Sequence, residues 1–428
     1  FIGKPMNRWI NRALALTSVG TAAFLVGSGL RMMRHVKKEL ARTRNQPSPE
    51  EGKWPRVALM VPCKDVDPDL EQNLRMLLQQ DYPNYEIVFM TLDQHDLSYP
   101  ILQRMVAESK VPARIVFGGF SKQRCQKLDN ILAGIDSLDP DIEIFAWADS
   151  DVRAPREWLR QLVAPLSRDT VGTTTSFRWY RPEPGRLDTY MLSLWTGIQF
   201  CHFHINPLVA VWGGSMSVTR RVFDEMDMRT VWEYALADDC VLNHSTRKSG
   251  RRVEFVVPSM TSISSDHSLK DNLIFAVRQA VIAKHTLKEI WYPSVLGLTL
   301  LHLALFRGAQ LTYLALRAGQ PVPLVALAMF SFIPGGMLQS LGFIQAIRQI
   351  AASREEDDPL DAKPIWALLS PLAYTFLWGS LLASACTDRF VWRGIYYKML
   401  NSHETEVYAY PDQLGSADFK EETPSGRV

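Results

Sequence analysis

Apolar residues gather into long runs at the two ends of the chain and into short runs between them. Residues 13–33 carry a single charge, Arg31, and about 20 helical residues span ~30 Å, the thickness of a hydrocarbon core. The pattern returns after Pro293 in residues 294–316, 321–347 and 364–386, joined by a turn with Gly319 and Pro321 and by a charged loop over 348–363. The middle reads differently. Residues 56–62, 85–92, 113–117 and 142–148 are short apolar runs, with helical periodicity at 70–80 and 101–109. Strands alternating with helices predict a parallel α/β sheet with its ligand at the carboxyl ends of the strands.

Five parts follow from this pattern. Residues 1–44 form an N-terminal membrane anchor with a basic flank, and 45–56, with Pro47, Pro49, Gly52 and Pro55, a linker. Residues 57–290 form the α/β domain, 291–400 the C-terminal membrane helices with an interfacial Trp-Arg-Gly segment, and 401–428 a polar, mobile tail. Within the domain, residues 187–212 are apolar enough to be mistaken for a span. Asp188, Gln199, His202, His204, Asn206 and Pro207 interrupt them, which predicts an interfacial helix or a groove wall instead.

Charge gives the orientation. Arg31, Arg34, Lys37, Lys38, Arg42 and Arg44 outnumber Lys4, Arg8 and Arg12, so the positive-inside rule puts the α/β domain on the cytoplasmic side of a bacterial inner membrane or a eukaryotic endomembrane. A secretory signal would show a small-residue cleavage site where this basic cluster stands. Across 428 residues, 47 Lys and Arg balance 45 Asp and Glu, which leaves no surplus for the many phosphates of a nucleic-acid partner. Five cysteines without a C-x-x-C pair argue against a zinc cage or a disulfide framework and suit a reducing compartment.

Two acid pairs carry the candidate chemistry. Asp149-Ser150-Asp151 ends an apolar run, and in extended backbone side chains two apart point the same way. Both carboxylates then reach one hard cation that also holds a diphosphate. Ala237-Asp238-Asp239-Cys240 opens a helical pattern that ends near Gly250. A carboxylate there is either an N-cap or a general base for an incoming hydroxyl.

In chain order, Asp93, Asp149-Ser150-Asp151, Asp239 and a downstream Arg278-Gln279 pair resemble family 2 glycosyltransferases with the GT-A fold, and among them ceramide glucosyltransferases and related glycolipid synthases. Lys64-Asp65-Val66-Asp67-Pro68, Gln80-Asp81-Tyr82-Pro83, Lys127-Leu128-Asp129-Asn130 and Trp212-Gly213-Gly214-Ser215-Met216 extend the resemblance over most of the chain, from Val57 to about Lys398. It implies an α/β fold, the Rossmann-like mixed sheet of a cytoplasmic GT-A domain, with α-helical transmembrane segments. It also implies a UDP-sugar donor, Mg²⁺ or Mn²⁺, and a membrane lipid acceptor. Residue by residue, Asp93 would face the uracil ring, Lys64 and Lys127 the nucleotide, Asp149 and Asp151 the ribose and metal, and Arg278 and Gln279 the diphosphate. Trp212, Gly213, Gly214 and Asp238 would meet the acceptor, and Asp239 would take its hydroxyl proton in one inverting displacement.

One motif departs from the family. Its pentad of Gln or Arg, two variable residues and Arg-Trp aligns with Arg278-Gln279-Ala280-Val281-Ile282, so the second Arg and the Trp are missing. Lys284 or His285 would substitute if they share the helix face, or else the acceptor pocket differs. Trp392-Arg393-Gly394-Ile395-Tyr396 resembles a signature that lies beside the active site in relatives; its other reading is an aromatic anchor among headgroups. The first reading requires one later apolar segment to be re-entrant or interfacial, with Pro334-Gly335-Gly336 and Pro371 as break points. The expected function is transfer of one hexose, glucose first, from a UDP-sugar to a ceramide-like lipid. Alternatives are diacylglycerol or hopanoid acceptors, a processive polysaccharide synthase, and a protein that binds nucleotide sugar or lipid without turnover.

Overall fold

The structure, a computed structural model, describes residues 5–44, 54–119, 121–183, 185–264, 268–354 and 363–409. Residues 45–53 of the expected linker and 410–428 of the expected tail lie outside the described residues. The α/β domain holds strands β1 (Val57–Pro62), β2 (Tyr85–Thr91), β3 (Ala113–Phe117), β4 (Ile144–Ala148), β5 (Val171–Thr175), β6 (Arg178–Arg181), β7 (Ser215–Thr219), β8 (Arg252–Phe255) and β9 (Thr261–Ser264). Seven of them form one sheet in the order β3-β2-β1-β4-β7-β5-β8. The first four run parallel, and β7 is antiparallel to both β4 and β5. This parallel-rich mixed sheet is the arrangement expected of a GT-A domain, and β6 pairs β9 beside it.

β1 reads Val-Ala-Leu-Met-Val because both of its faces are covered. Val57, Leu59 and Val61 join a core with Leu74, Leu102 and Trp158 on one face. Ala58 and Met60 join Met90, Leu128 and Trp147 on the other. The covering helices are α2 (Leu70–Leu77), α3 (Tyr99–Glu108), α4 (Gln126–Asp136) and α5 (Trp158–Val163), which follow the membrane helix α1 (Pro5–Arg44). At 40 residues α1 is about 60 Å long, twice what a bilayer core needs. Its surplus enters the domain, where Met32 and Val36 are fully buried with Trp147.

Next come α6 (Leu187–Phe200), α7 (Arg220–Glu225), α8 (Met228–Val231), α9 (Asp238–Lys248) and α10 (Leu269–Thr286), which opens on a capping box between Ser268 and Asp271. The apolar character of α6 comes from burial within the protein: Leu192, Leu194, Trp195 and Phe200 are all covered, and Gly197 lies against the Phe343 ring.

The membrane portion consists of α1 with α11 (Lys288–Arg317), α12 (Leu324–Met329), α13 (Phe332–Ala352) and α14 (Ser370–Ala385). α1 and α13 run parallel at backbone contact. Gly335 meets Ala22 and Gly342 meets Gly29, a seven-residue step on both helices, and small residues are what permit such an approach. Ser18 Oγ accepts the Phe332 N–H at 3.2 Å and Gln339 Nε2 donates to Ser28 Oγ at 2.8 Å, so polar groups of this pair satisfy each other.

Four helical stretches among the described residues are long and apolar enough to cross a membrane. The last, 364–385, begins and ends against the α/β domain. Just before it Arg354 donates to the Met260 carbonyl, and at its start Trp366 packs on Tyr190 of α6, ring centroids 4.6 Å apart. At its end Lys284 of α10 donates to the Ser384 and Thr387 carbonyls, each at 2.8 Å. Both ends of this stretch therefore rest on the α/β domain, with Pro371 in the first turn of α14. Pro334, by contrast, breaks nothing within α13, and Gly335 and Gly336 serve helix packing.

The chain then forms a small antiparallel sheet of β10 (Arg389–Trp392), β11 (Ile395–Met399) and β12 (Thr405–Ala409). Residues 405–409, expected in a mobile tail, are thus an edge strand. Arg393 (φ 50°) and Gly394 (φ 77°) make the two-residue turn between β10 and β11, the left-handed pair that matches hairpin twist.

Candidate active site

A cavity of about 510 Å³ opens at the carboxyl ends of β1 and β4 and is closed from the other side by α9, α10 and the β10–β11 turn. Lys127, near the start of α4, sits at its centre of charge. Its Nζ lies 2.9 Å from Asp149 Oδ1, 3.1 Å from Asp238 Oδ2 and 3.5 Å from the Gly213 carbonyl. Burial alone would lower its pKa, but the Asp149, Asp238 and Asp239 carboxylates outweigh burial and hold the ammonium above the ordinary lysine value. One cation therefore ties the two acid pairs together.

Asp238, in the first turn of α9, is 3% exposed and faces Lys127. Burial pushes its carboxyl up to about 6, with Lys127 pulling the other way. Its Oδ2 makes no aligned hydrogen bond despite the 3.1 Å approach, so the pair acts through charge more than direction. Asp238 lines the cavity with its carboxylate turned to Lys127. Asp239 is held differently: Oδ2 accepts the Gly213 N–H at 3.0 Å and Oδ1 the Cys240 N–H at 2.6 Å. Each carboxylate oxygen keeps a further lone pair for a proton.

The glycines make this closeness possible. A Cβ on Gly213 would stand 2.6 Å from Asp238 Oδ2 and 2.9 Å from Lys127 Nζ; one on Gly214 would overlap the Trp212 ring and stand 2.5 Å from Asp149 Oδ2. Gly214 supports the wall from behind, while Trp212 and Gly213 line the cavity.

Asp149-Ser150-Asp151 is a turn beyond β4, closed by the Val152 N–H to the Asp149 carbonyl at 3.4 Å, so the extended geometry expected for it does not apply. Both carboxylates line the cavity nonetheless. Asp151 as a residue is half-buried, yet its Oδ1 is enclosed without a hydrogen-bond partner. Its carboxyl is pushed up to about 7 by burial, then by Asp149 and Asp67, against Arg178 and Arg393. No three His, Cys, Asp or Glu side chains form a cage among the described residues. Two acids, one with an unsatisfied oxygen, fit a hard cation such as Mg²⁺, which takes one or two carboxylates and completes its shell with substrate phosphates and water.

Lys64, Arg278 and Gln279 also line the cavity, and Asp93 does not: it lies past β2, where Oδ1 accepts the His95 N–H at 2.7 Å. Lys284 and His285 are engaged elsewhere, with Asp388 Oδ1 at 2.6 and 2.8 Å, and so do not replace the missing pentad residues. Val281 and Ile282, in the pentad positions, are buried among apolar side chains.

Other side chains arrive instead. The Arg278 guanidinium lies over the Trp392 ring at 5.0 Å, and Arg178 of β6 lies among Trp212, Tyr180 and Phe275 at 5.2 to 5.3 Å. Arg393 enters from the hairpin turn and pairs with Asp67 through two bonds of 2.7 Å. Of these, the Trp392-Arg393 motif was visible in the sequence without a fixed place, and Arg178 carried no signal at all.

The family model of glycosyl transferase family 21 matches residues 19–404, and the chain belongs to that family. The motifs suggested family 2; the family matched is 21. Membership makes the protein a membrane-bound glycosyltransferase that acts on lipid, with a nucleotide-sugar donor. Among solved structures, a 4-diphosphocytidyl-2C-methyl-D-erythritolsynthase from Anaerococcus prevotii DSM 20548 is similar at 11% identity, over 47% of this chain and 87% of its own, with a TM-score of 0.32. So remote a likeness says nothing about function.

Proposed function

We propose that the protein transfers one hexose, glucose first, from a UDP-sugar to the hydroxyl of a ceramide-like membrane lipid, on the cytoplasmic face and with inversion. The observation that carries this reading is the Lys127 bridge, which brings Asp149 of one acid pair and Asp238 of the other to within 2.9 and 3.1 Å of a single ammonium. Donor acids and candidate base then share one cavity, as a single displacement demands. Asp239 takes the acceptor's hydroxyl proton, the hydroxyl oxygen bonds to the anomeric carbon, and the bond from that carbon to the diphosphate oxygen breaks, its electron pair leaving with UDP.

Asp149 and Asp151 would hold Mg²⁺ or Mn²⁺, which when bound neutralises charge on the diphosphate. Lys64 and Gln279 face the same cavity as further polar contacts for the nucleotide. Asp93 remains a candidate for the uracil ring, outside the cavity wall. A lipid acceptor reaches this site from the side of α6 and α10, where Leu192, Ile274, Phe275 and Ile282 give the cavity apolar walls.

The test uses purified full-length protein, UDP-glucose, UDP-galactose and UDP-N-acetylglucosamine, and vesicles carrying ceramide, diacylglycerol or a hopanoid alcohol. Release of UDP with glucose and ceramide supports the reading. Another lipid or sugar as the sole substrate corrects the specificity, and UDP binding without release under every pairing overturns the transfer.

A further inference from the structure

We infer that Arg393 and Asp67 form a latch, closed in the donor-free protein, and that the donor diphosphate opens it by taking Arg393 from Asp67. The inference rests on the reading of the cavity as a nucleotide-sugar site. It begins with a surplus of cations. Arg178, Arg278 and Arg393 all line the cavity, and of the three only Arg393 has a carboxylate partner within ion-pair distance among the described residues. The other two rest on aromatic rings, which accept a guanidinium's charge but leave its N–H donors free for an anion. Burial, with Arg178 and Arg393 nearby, lowers Arg278 to about 10. A cluster of this kind is complete once a multiply charged anion arrives.

The pentad defect gives the cluster its purpose. Where the family places an Arg and a Trp on the helix, this chain has buried Val281 and Ile282. Trp392 and Arg393 bring the same two side-chain types to the same cavity from the hairpin, with Trp392 stacked on Arg278 at 5.0 Å. The pair is restored in space from 110 residues further along the chain, counting from Ile282 to Trp392.

Backbone strain singles out the contact between Arg393 and Asp67. Four non-glycine residues among those described have positive φ, and three of them meet here: Asp65 (58°) and Asp69 (61°) on either side of Asp67, and Arg393 (50°) itself. Left-handed backbone is disfavoured for side chains with a Cβ and persists where surroundings impose it. Asp67 accepts both Arg393 bonds in the fork geometry that a diphosphate's oxygens also offer. Asp151, the acid that would lie beside the diphosphate, lines the same cavity, and its charge acts on the Arg393 guanidinium as well.

Titration calorimetry of the full-length protein with UDP and with uridine, in Mn²⁺, tests the exchange. Arg393→Gln is expected to weaken UDP about ten- to hundredfold, the worth of charge-assisted hydrogen bonds, and to leave uridine unchanged. Asp67→Asn removes the competitor and is expected to tighten UDP severalfold, a gain that a damaged fold does not produce. Equal UDP affinity in Arg393→Gln and wild type, a parallel loss of uridine, or weaker UDP binding in Asp67→Asn overturns the latch. A wild-type protein that binds neither probe overturns the nucleotide site itself, and the latch with it.

Discussion

Lys127 Nζ donates to Asp149 Oδ1 at 2.9 Å across a buried pocket floor, joining a helix start to the turn after β4. Removing that ammonium leaves Asp149, Asp238 and Asp239 facing one another. Lys127→Met is therefore expected to destabilise the fold by up to about 3 kcal/mol, the low end for a broken buried pair because Asp149 stays partly exposed, and to abolish turnover. Adding Asp238→Asn should restore melting temperature without restoring activity. Thermal unfolding and UDP release, measured on both variants, check the pair.

The acids also set a pH dependence. In metal-free protein Asp151 titrates near 7 and Asp238 near 6, against about 3.8 for the ordinary side chain. Between those values the folded state holds protons that the unfolded chain has released, so stability falls as pH rises from about 4 toward 7 and levels above it. Melting curves in EDTA across that range should show the decline, and Asp151→Asn should flatten its upper half. A wild-type curve that climbs with pH would contradict the burial assigned to these carboxyls.

Gly213 tests the closeness of the site without altering a charge. Gly213→Ala puts a methyl 2.6 Å from Asp238 Oδ2 and 2.9 Å from Lys127 Nζ, and the expected result is at least a tenfold loss of turnover, since small displacements of catalytic groups cost about that much or more. Equal rates in variant and wild type would show that the acids and lysine move aside freely.

In the membrane part, Gly342→Val drives two methyls into the Gly29 backbone, which a Cβ alone would already meet at 2.9 Å. A loss of about 1–3 kcal/mol is expected from overpacking, read as a lower melting temperature in detergent. UDP affinity should be unchanged, because the contact is remote from the cavity.

How far the sequence carries can be seen residue by residue. The apolar runs located β1 to β4 within a residue or two, because β1, β2 and β4 are covered on both faces and have to be apolar nearly throughout, and the edge strand β3 keeps a short apolar run of its own. Asp149, Asp151 and Asp239 were legible through spacing and their place at element ends. The Lys127 bridge was not, since it depends on Gly213 and Gly214 letting three chain segments converge. Arg178 sits on a strand with no motif around it, and Asp67 meets Arg393 across 326 residues, a pairing that no local pattern encodes. Asp93 shows the converse: a motif position whose side chain bonds to its own loop.

The assignment of Asp239 as base is the centre of the account, and lipid mass spectrometry of a host expressing either wild type or Asp239→Asn tests it most directly, with UDP affinity of the purified proteins measured alongside. The account predicts a new hexosyl lipid from wild type, none from Asp239→Asn, and equal UDP binding by both. The same hexosyl lipid at the same level from Asp239→Asn would contradict it.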